Sequence, residues 1–245
     1  MISFERASRR FGPKVAVHPL DLSIGRGEFF AFLGPNGAGK TTTLKMAAGL
    51  LRPSEGRVLI GGIDIGIDPI AAKRLLAYVP DQPYLYDKLT GREFLRFVAG
   101  LYGIDTADAR ADIDRYVATF DMKDWIDELT ETYSHGMKQR VALAATLLHE
   151  PRVVLLDEPL VGLDPQTSRL VKGILREHAS KGTTIFMSTH VLSVAEQTAD
   201  RIGILNQGKL VALGTMDELR AKAGKPENLE DIFFRIVEEA EATGK

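Results

Sequence analysis

No cysteine occurs anywhere in the 245 residues, which excludes disulfides and thiolate metal sites while leaving the compartment open. No apolar run approaches the ~18 residues that a membrane-spanning helix requires. An excess of positive charge is also lacking. With 31 Lys and Arg against 33 Asp and Glu, the net charge is −2, so the chain has no electrostatic footprint for nucleic acid. The segment from Met1 to Arg6 has no apolar stretch behind a basic start, so no secretory signal is expected. What is present is ordinary globular composition, 44% hydrophobic and 26% charged, in a length that suits one α/β core.

The most informative stretch is GPNGAGKTT, from Gly34 to Thr42. It follows the apolar run from Phe29 to Leu33 and precedes a helical pattern from Thr43 to Leu51. Strand, glycine-rich turn and helix form the context in which G-x-x-x-x-G-K-[ST] reads as a phosphate-binding P-loop. Gly34, Gly37 and Gly39 let consecutive N–H groups converge on phosphate oxygens. The start of the helix adds unpaired N–H groups and a favourable dipole. Lys40 reaches the β- and γ-phosphates of a bound triphosphate in this motif, and Thr41 supplies a hydroxyl to Mg²⁺.

Along the chain, residues 2–33 alternate as strands, with turns at Gly12-Pro13 and from Gly25 to Gly27. Phe11 offers either a π-face for a nucleotide base or a place in a small β layer. Pro53 to Gly62 reads as a turn and short strand, Ile70 to Leu76 as a short helix, and Ala77 to Val79 as the next strand. Residues 84–150 then carry three helical patterns, Thr90 to Tyr102, Thr106 to Phe120 and Met137 to His149, with no convincing strand. Arg152 to Pro159 is a continuous apolar run closing on two carboxylates, as in a buried parallel strand. A helix from Pro165 to Lys181, a strand from Thr183 to Met187 and a helix from Val191 to Ala199 follow. A hairpin is then expected around Asn206 to Gly208. From Glu227, residues Leu229, Ile232, Phe233, Ile236 and Val237 share one helical face, which is expected to pack on its own domain.

Asp157 and Glu158 point to opposite sides of the strand end and can serve different partners. Asp157 suits Mg²⁺ or its water. Glu158 suits the attacking water in an in-line displacement at the γ-phosphate.

The motifs GPNGAGKTT, YSHGMKQR (Tyr133 to Arg140), LLDEP (Leu155 to Pro159), GLD (Gly162 to Asp164) and STH (Ser188 to His190) occur in the order found in ABC-type ATPases. The chain resembles the separately encoded nucleotide-binding subunits of ABC transporters, most closely those of export systems, over nearly its whole length up to about Leu219. The resemblance implies a P-loop NTPase (RecA-like) α/β core with a mixed sheet, an N-terminal antiparallel β layer and an inserted α-helical subdomain. It divides the chain into an ATPase domain at 1–220, with its core at 1–83 and 151–220 and its helical subdomain at about 84–150. A helical tail at 221–245 follows.

The resemblance also assigns roles. ATP is bound with Mg²⁺ by Gly34, Asn36, Gly37, Ala38, Gly39, Lys40, Thr41 and Thr42, while Phe11 stacks on the base. Glu158, His190 and Lys40 are the catalytic groups. Ser134 and Gly136 meet the γ-phosphate of a second nucleotide-binding subunit, and Asp164 sits at that dimer contact. His135, where many members carry glycine, receives no catalytic role. Family members place Gln after the strand that ends here at Val79. This chain has Asp81 and then Gln82, so either Asp81 contacts Mg²⁺ or its water, or the loop brings Gln82 in.

The implied partners are transmembrane permease subunits on a separate chain and a second nucleotide-binding subunit, identical or related. The expected location is cytoplasmic, peripheral on the inner face of the membrane, and no nucleic acid is expected. Tyr84, Leu85, Tyr86, Leu89, Phe94 and Phe97 are expected to supply a groove for a helix of the membrane subunit. A soluble ABC-type ATPase acting on nucleic acid or ribosomes is the competing reading. A nucleotide-binding regulator without hydrolysis is disfavoured by intact Glu158 and His190.

Overall fold

The computed structural model describes residues 1–222 and 229–243. Its strands run in chain order as β1 (Ile2–Phe11), β2 (Lys14–Ile24), β3 (Phe29–Leu33), β4 (Glu55–Ile60), β5 (Ile63–Asp64), β6 (Leu76–Val79), β7 (Val153–Asp157), β8 (Thr184–Thr189), β9 (Arg201–Asn206) and β10 (Lys209–Gly214). The helices are α1 (Lys40–Ala47), α2 (Pro69–Lys73), α3 (Gly91–Leu101), α4 (Thr106–Thr119), α5 (His135–Leu147), α6 (Pro165–Ser180), α7 (Leu192–Thr198), α8 (Met216–Lys222) and α9 (Leu229–Thr243).

Two sheets carry the fold. One is antiparallel, in the order β2-β1-β4-β5, and the other has the order β10-β9-β3-β8-β7-β6. In the second sheet the neighbours from β9 to β6 are parallel, and only β10 returns antiparallel, through the hairpin at Gln207-Gly208. The buried parallel strands explain their own composition. Phe29, Ala31 and Leu33 of β3 enter the core shared with the helices of the 91–147 segment, whereas Phe30 and Phe32 enter the core shared with the antiparallel sheet and α1. The same alternation splits Val154 and Leu156 from Val153 and Leu155 in β7. A strand covered on both faces needs apolar residues at every position, which is why these runs do not alternate. Phe186 of β8 packs its ring 5.5 Å from Phe30, 5.6 Å from Phe32 and 6.2 Å from Phe4, tying the two sheets together.

Several boundaries differ from the sequence expectation for local reasons. The helix after the P-loop starts at Lys40 rather than Thr43, because Gly39 already serves as its N-cap. α5 begins at His135, two residues before Met137, because the Ser134 hydroxyl accepts from Met137 N–H at 3.3 Å and caps it. α2 stops at Lys73, and Leu76 already pairs with Val153 in the sheet. Residues 223–228 and 244–245 of the expected tail lie outside the described residues. Within the described part, Leu229 and Ile232 are buried, and Phe233, Ile236 and Val237 pack against the same core.

Of the aromatic segment expected to form a groove, Leu85 is buried, and Leu89 and Phe94 are half-buried. Tyr84, Tyr86 and Phe97 remain exposed, with the Tyr86 ring 6.1 Å from Tyr84 and 5.4 Å from Phe97. Leu85 and Phe94 therefore belong to the core, and only the other aromatics present a surface.

Candidate active site

The strand order decides where the chemistry can gather. β3, β8 and β7 are consecutive parallel neighbours, so the P-loop, the segment Ser188 to His190 and the pair Asp157-Glu158 all leave the sheet at one edge. Ligands of open α/β sheets bind beyond the carboxyl ends of the strands.

The P-loop backbone is held where side chains would not fit. A Cβ on Gly34 would stand 2.3 Å from the Leu205 carbonyl oxygen, and Gly39 has φ +104° with the Ala16 carbonyl oxygen 2.5 Å from any added Cβ. The first turn of α1 contains no acidic residue and Gly39 gives it no side-chain cap, so its N–H groups and positive dipole end are uncompensated. Lys40 is buried, and its ammonium donates to the carbonyl oxygens of Gly34 at 2.7 Å and Pro35 at 3.1 Å.

The two carboxylates have separate surroundings. Asp157 is buried, and its Oδ1 accepts from the hydroxyls of Thr41 at 3.1 Å and Ser188 at 2.6 Å. Glu158 takes the left-handed conformation, φ 50°, that a non-glycine residue adopts at a cost of order 1–3 kcal/mol. That turn aims its side chain at the P-loop and at His190. Its Oε1 is 3.4 Å from Lys40 Nζ, and its Oε2 accepts from His190 N–H at 3.2 Å and lies 3.1 Å from His190 Nδ1. Beside Asp157, burial pushes the Tyr78 hydroxyl well above its ordinary pKa, and the negative charges of Asp157 and Asp81 push it further.

Of these groups Lys40, Thr41 and Glu158 border a cavity of about 650 Å³, together with Phe11, Asn36, Gly37, Gly39, Thr42 and Asp81, whereas Asp157 and His190 do not line it. Gly34 and Ala38 support the loop from behind, Ala38 with its carbonyl accepting from Gly208 N–H at 2.9 Å. Asp81 lines the cavity and Gln82, also exposed, does not, so the loop after β6 presents Asp81. Thr41, Asp157 and Asp81 offer only oxygen donors, the set that suits a hard cation sharing phosphate oxygens. Sequence reasoning missed another wall, formed by Lys14, Val15, Ala16, Gln207 and Gly208. The hairpin turn at Gln207-Gly208 was visible as a turn, but no local signal reports that it docks on the P-loop.

Ser134, Gly136 and Asp164 do not line this cavity. Ser134 caps α5, and Asp164 caps α6 by accepting from Thr167 N–H at 2.9 Å. The Thr167 hydrogen bonds hold the Asp164 carboxyl below its ordinary pKa. The two loops touch each other instead: a Cβ on Gly162 would meet His135 Cδ2 at 3.3 Å, and one on Gly136 would meet Leu163 Cδ2 at 3.4 Å.

Residues 17–161 match the family model described as ABC transporter. The chain belongs to the ABC transporter family. It is 37% identical over 241 residues to the probable multidrug ABC transporter ATP-binding protein YbhF of Escherichia coli (strain K12), covering 97% of this chain and 42% of that one. The ABC chain described here thus spans less than half the length of that relative. A solved structure of an ATP binding subunit of an ABC transporter superposes with a TM-score of 0.90 at 32% identity, covering 96% of this chain and 99% of the other. The dimeric, post-hydrolysis ATP-binding cassette MJ0796 bound to ADP and Pi superposes with a TM-score of 0.81 at 24% identity, over 88% and 99% of the two chains, and supports the fold.

Proposed function

We propose that this chain binds and hydrolyses ATP to drive export of a substrate through transmembrane subunits carried on other polypeptides. The observation that carries the reading is the convergence of Lys40, Glu158 and His190 at the edge where Thr41 and Asp157 also meet. Phe11 takes the base, and Gly34, Asn36 and the residues from Gly37 to Thr42 take the phosphates. Thr41 and Asp157, with Asp81 nearby, would hold Mg²⁺, which would supply positive charge to the phosphates. Lys40 moves from its carbonyl partners to the γ-phosphate, which frees Glu158 from the ammonium. Glu158 then accepts a proton from water as the water oxygen bonds to the γ-phosphorus and the bond to the ADP oxygen breaks. His190 holds Glu158 and contacts the γ-phosphate.

Ser134, Gly136 and Asp164 complete the site of a second nucleotide-binding subunit, identical or related, which accounts for their standing outside the cavity of their own chain. YbhF carries a multidrug transporter name, and that likeness supports export. The proposed division is an ATPase core at 1–83 and 151–220, a helical subdomain at about 84–150 and a tail at 221–245, with the protein on the inner membrane face. Among the described residues no helix is long and apolar enough to cross a membrane. A groove of about 1060 Å³ between α2 and the ends of α3 and α5 is rimmed by exposed Ile70, Leu101 and Tyr102. This groove, lined also by Lys73, Arg74, Asp108, Asp112 and Glu150, and separately the exposed Tyr84, Tyr86 and Phe97 are the surfaces offered to a segment of the membrane subunit.

The test is Glu158→Gln. Phosphate release should fall by about 10²- to 10⁴-fold while equilibrium ATP binding persists. Turnover within a few-fold of the parent would remove Glu158 from its role. Copurification of a polytopic membrane protein tests the transporter half, and Tyr84→Ala with Leu101→Ala should abolish it.

A further inference from the structure

We propose that Arg9 is a positioning residue for the nucleotide base, holding the Phe11 ring from behind while the base stacks on its open face. The proposal rests on the reading of Phe11 as the base platform. The Arg9 guanidinium lies over the Phe11 ring, with Cζ 4.6 Å from the centroid. Phe11 is nonetheless 47% exposed. It lines the nucleotide cavity and Arg9 does not, so the base would take the face that Arg9 leaves open. The two side chains stand on the same side of β1 because they are two residues apart on one strand.

What fixes Arg9 matters as much as what it touches. Its Nη1 donates to the Arg52 carbonyl oxygen at 2.8 Å, and its Nε is buried without a hydrogen-bond partner. The end of β1 is further stapled to the same segment by Arg10 N–H donating to the Ser54 hydroxyl at 3.1 Å and Ser54 N–H donating to the Ser8 carbonyl at 2.7 Å. That segment is in turn tied to the P-loop helix, since Leu50 and Leu51 N–H both donate to the Lys45 carbonyl oxygen. Arg9 therefore couples the ring that would carry the base to the helix that would carry the phosphates. An aromatic at the end of a hairpin, beside the turn at Gly12-Pro13, loses freedom when it binds a base. A guanidinium already seated on its rear face reduces that loss before the ligand arrives. The buried Nε is tolerated because the ring face supplies attraction where a hydrogen bond is missing.

A role through the base must vanish when the base is absent. Equilibrium binding of ATP and of inorganic tripolyphosphate would be measured on the full chain at fixed Mg²⁺. Arg9→Met, which keeps an apolar stem and removes the cation, should weaken ATP about 3- to 5-fold, the size of a partly exposed cation–π contact. It should leave tripolyphosphate unchanged. Arg9→Lys, which restores a cation over the ring, should recover part of the loss. The Arg9→Met and Phe11→Ala changes combined should bind ATP no more weakly than Phe11→Ala alone, since each removes the same platform. Equal weakening of both ligands by Arg9→Met would show that it acts on the phosphate site through Arg52, and would overturn the proposal. So would additive losses in the double variant. If Phe11→Ala itself leaves the ATP-to-tripolyphosphate ratio unaltered, the base platform falls and Arg9 falls with it. If Phe11→Ala lowers that ratio and Arg9→Met does not, only the Arg9 proposal fails.

Discussion

The P-loop and the loop around Ser134 both lead into the N-terminus of a helix, yet the molecule treats them differently. Lys40 is 5% exposed, engaged with two carbonyls, and set beside Glu158, itself bonded to His190. Ser134, His135 and Asp164 stand at the surface, and their hydrogen bonds serve only to start α5 and α6. The first loop is built on the Phe30–Phe32–Phe186 core and is furnished from within one chain. The second is a capped surface, exposed at Ser134 and His135 and touched from the side by the loop at Gly162 and Leu163. A helix start that is neatly capped, solvent-facing and free of acidic residues in its first turn is suited to meet an anion brought by another molecule.

The sharpest way to break this contrast is to damage each loop separately. Lys40→Met should weaken ATP binding by about 100-fold or more, because it removes a buried ammonium from the proposed phosphate site. Isothermal titration on the isolated chain reads it directly. Ser134→Ala should leave that binding unchanged and lower turnover by about 10²-fold, as loss of a positioned donor does. It should also cost about 1 kcal/mol of stability through the lost cap. Ser134→Asp separates the two effects. The carboxylate restores the cap and the stability, but its charge opposes a phosphate, so turnover stays low. If Ser134→Asp restores both, the loop is only a cap, and the difference between the two loops is one of exposure alone.

An intermediate effect is expected at Asp81, which belongs to the furnished half but sits at its rim. Asp81→Asn should raise the Mg²⁺ concentration needed for half-maximal ATP binding by about 10-fold while leaving metal-free binding unchanged; an unmoved Mg²⁺ midpoint would leave Asp81 as a bystander. Its position also shows what could be read from residues alone. The P-loop was legible because its glycines, lysine and flanking strand and helix all lie within one short stretch. Asp157 and Glu158 were legible because a buried strand ends in charge. Whether Asp81 or Gln82 faces the cavity depends on how the chain leaves β6 after Pro80, which no periodicity encodes. The wall from Lys14 to Ala16 and Gln207-Gly208 was invisible for a related reason. It is made by His18 N–H donating to the Gly208 carbonyl and Gly208 N–H to the Ala38 carbonyl, between segments far apart in sequence. For Ser134 the resemblance alone pointed to the nucleotide of a second subunit, and it does stand outside its own chain's cavity.

The smallest expected effect concerns how the exposed loop's helix is anchored. At the far end of α5, His149 stacks on Tyr102 with ring centroids 3.7 Å apart and planes 6° from parallel. Burial lowers the His149 pKa below its ordinary 6.5, and the Leu76 backbone offsets this only in part. Because the folded state disfavours the protonated ring, the unfolded chain takes up the proton first as pH falls. The stabilisation is complete above pH 6.5 and is lost on acidification toward the lowered folded value, by up to about 1.4 kcal/mol per pH unit for one proton. Burial lowers the pKa values of His178 and His18 as well, so the wild-type dependence is a sum over three rings. His149→Phe keeps an aromatic on Tyr102 and removes one titrating group, so urea midpoints between pH 7 and pH 5 should change less than in the parent. His178→Phe, on α6, should flatten the profile by its own share while leaving the His149–Tyr102 stack in place. If hydrogen exchange at pH 5 shows α5 loosening in the parent and not in His149→Phe, while the Lys40 turn stays protected in both, the furnished and the exposed halves differ in stability as well as in exposure. Uniform loosening across both would reduce them to one cooperative unit, and the contrast would then be one of surface alone.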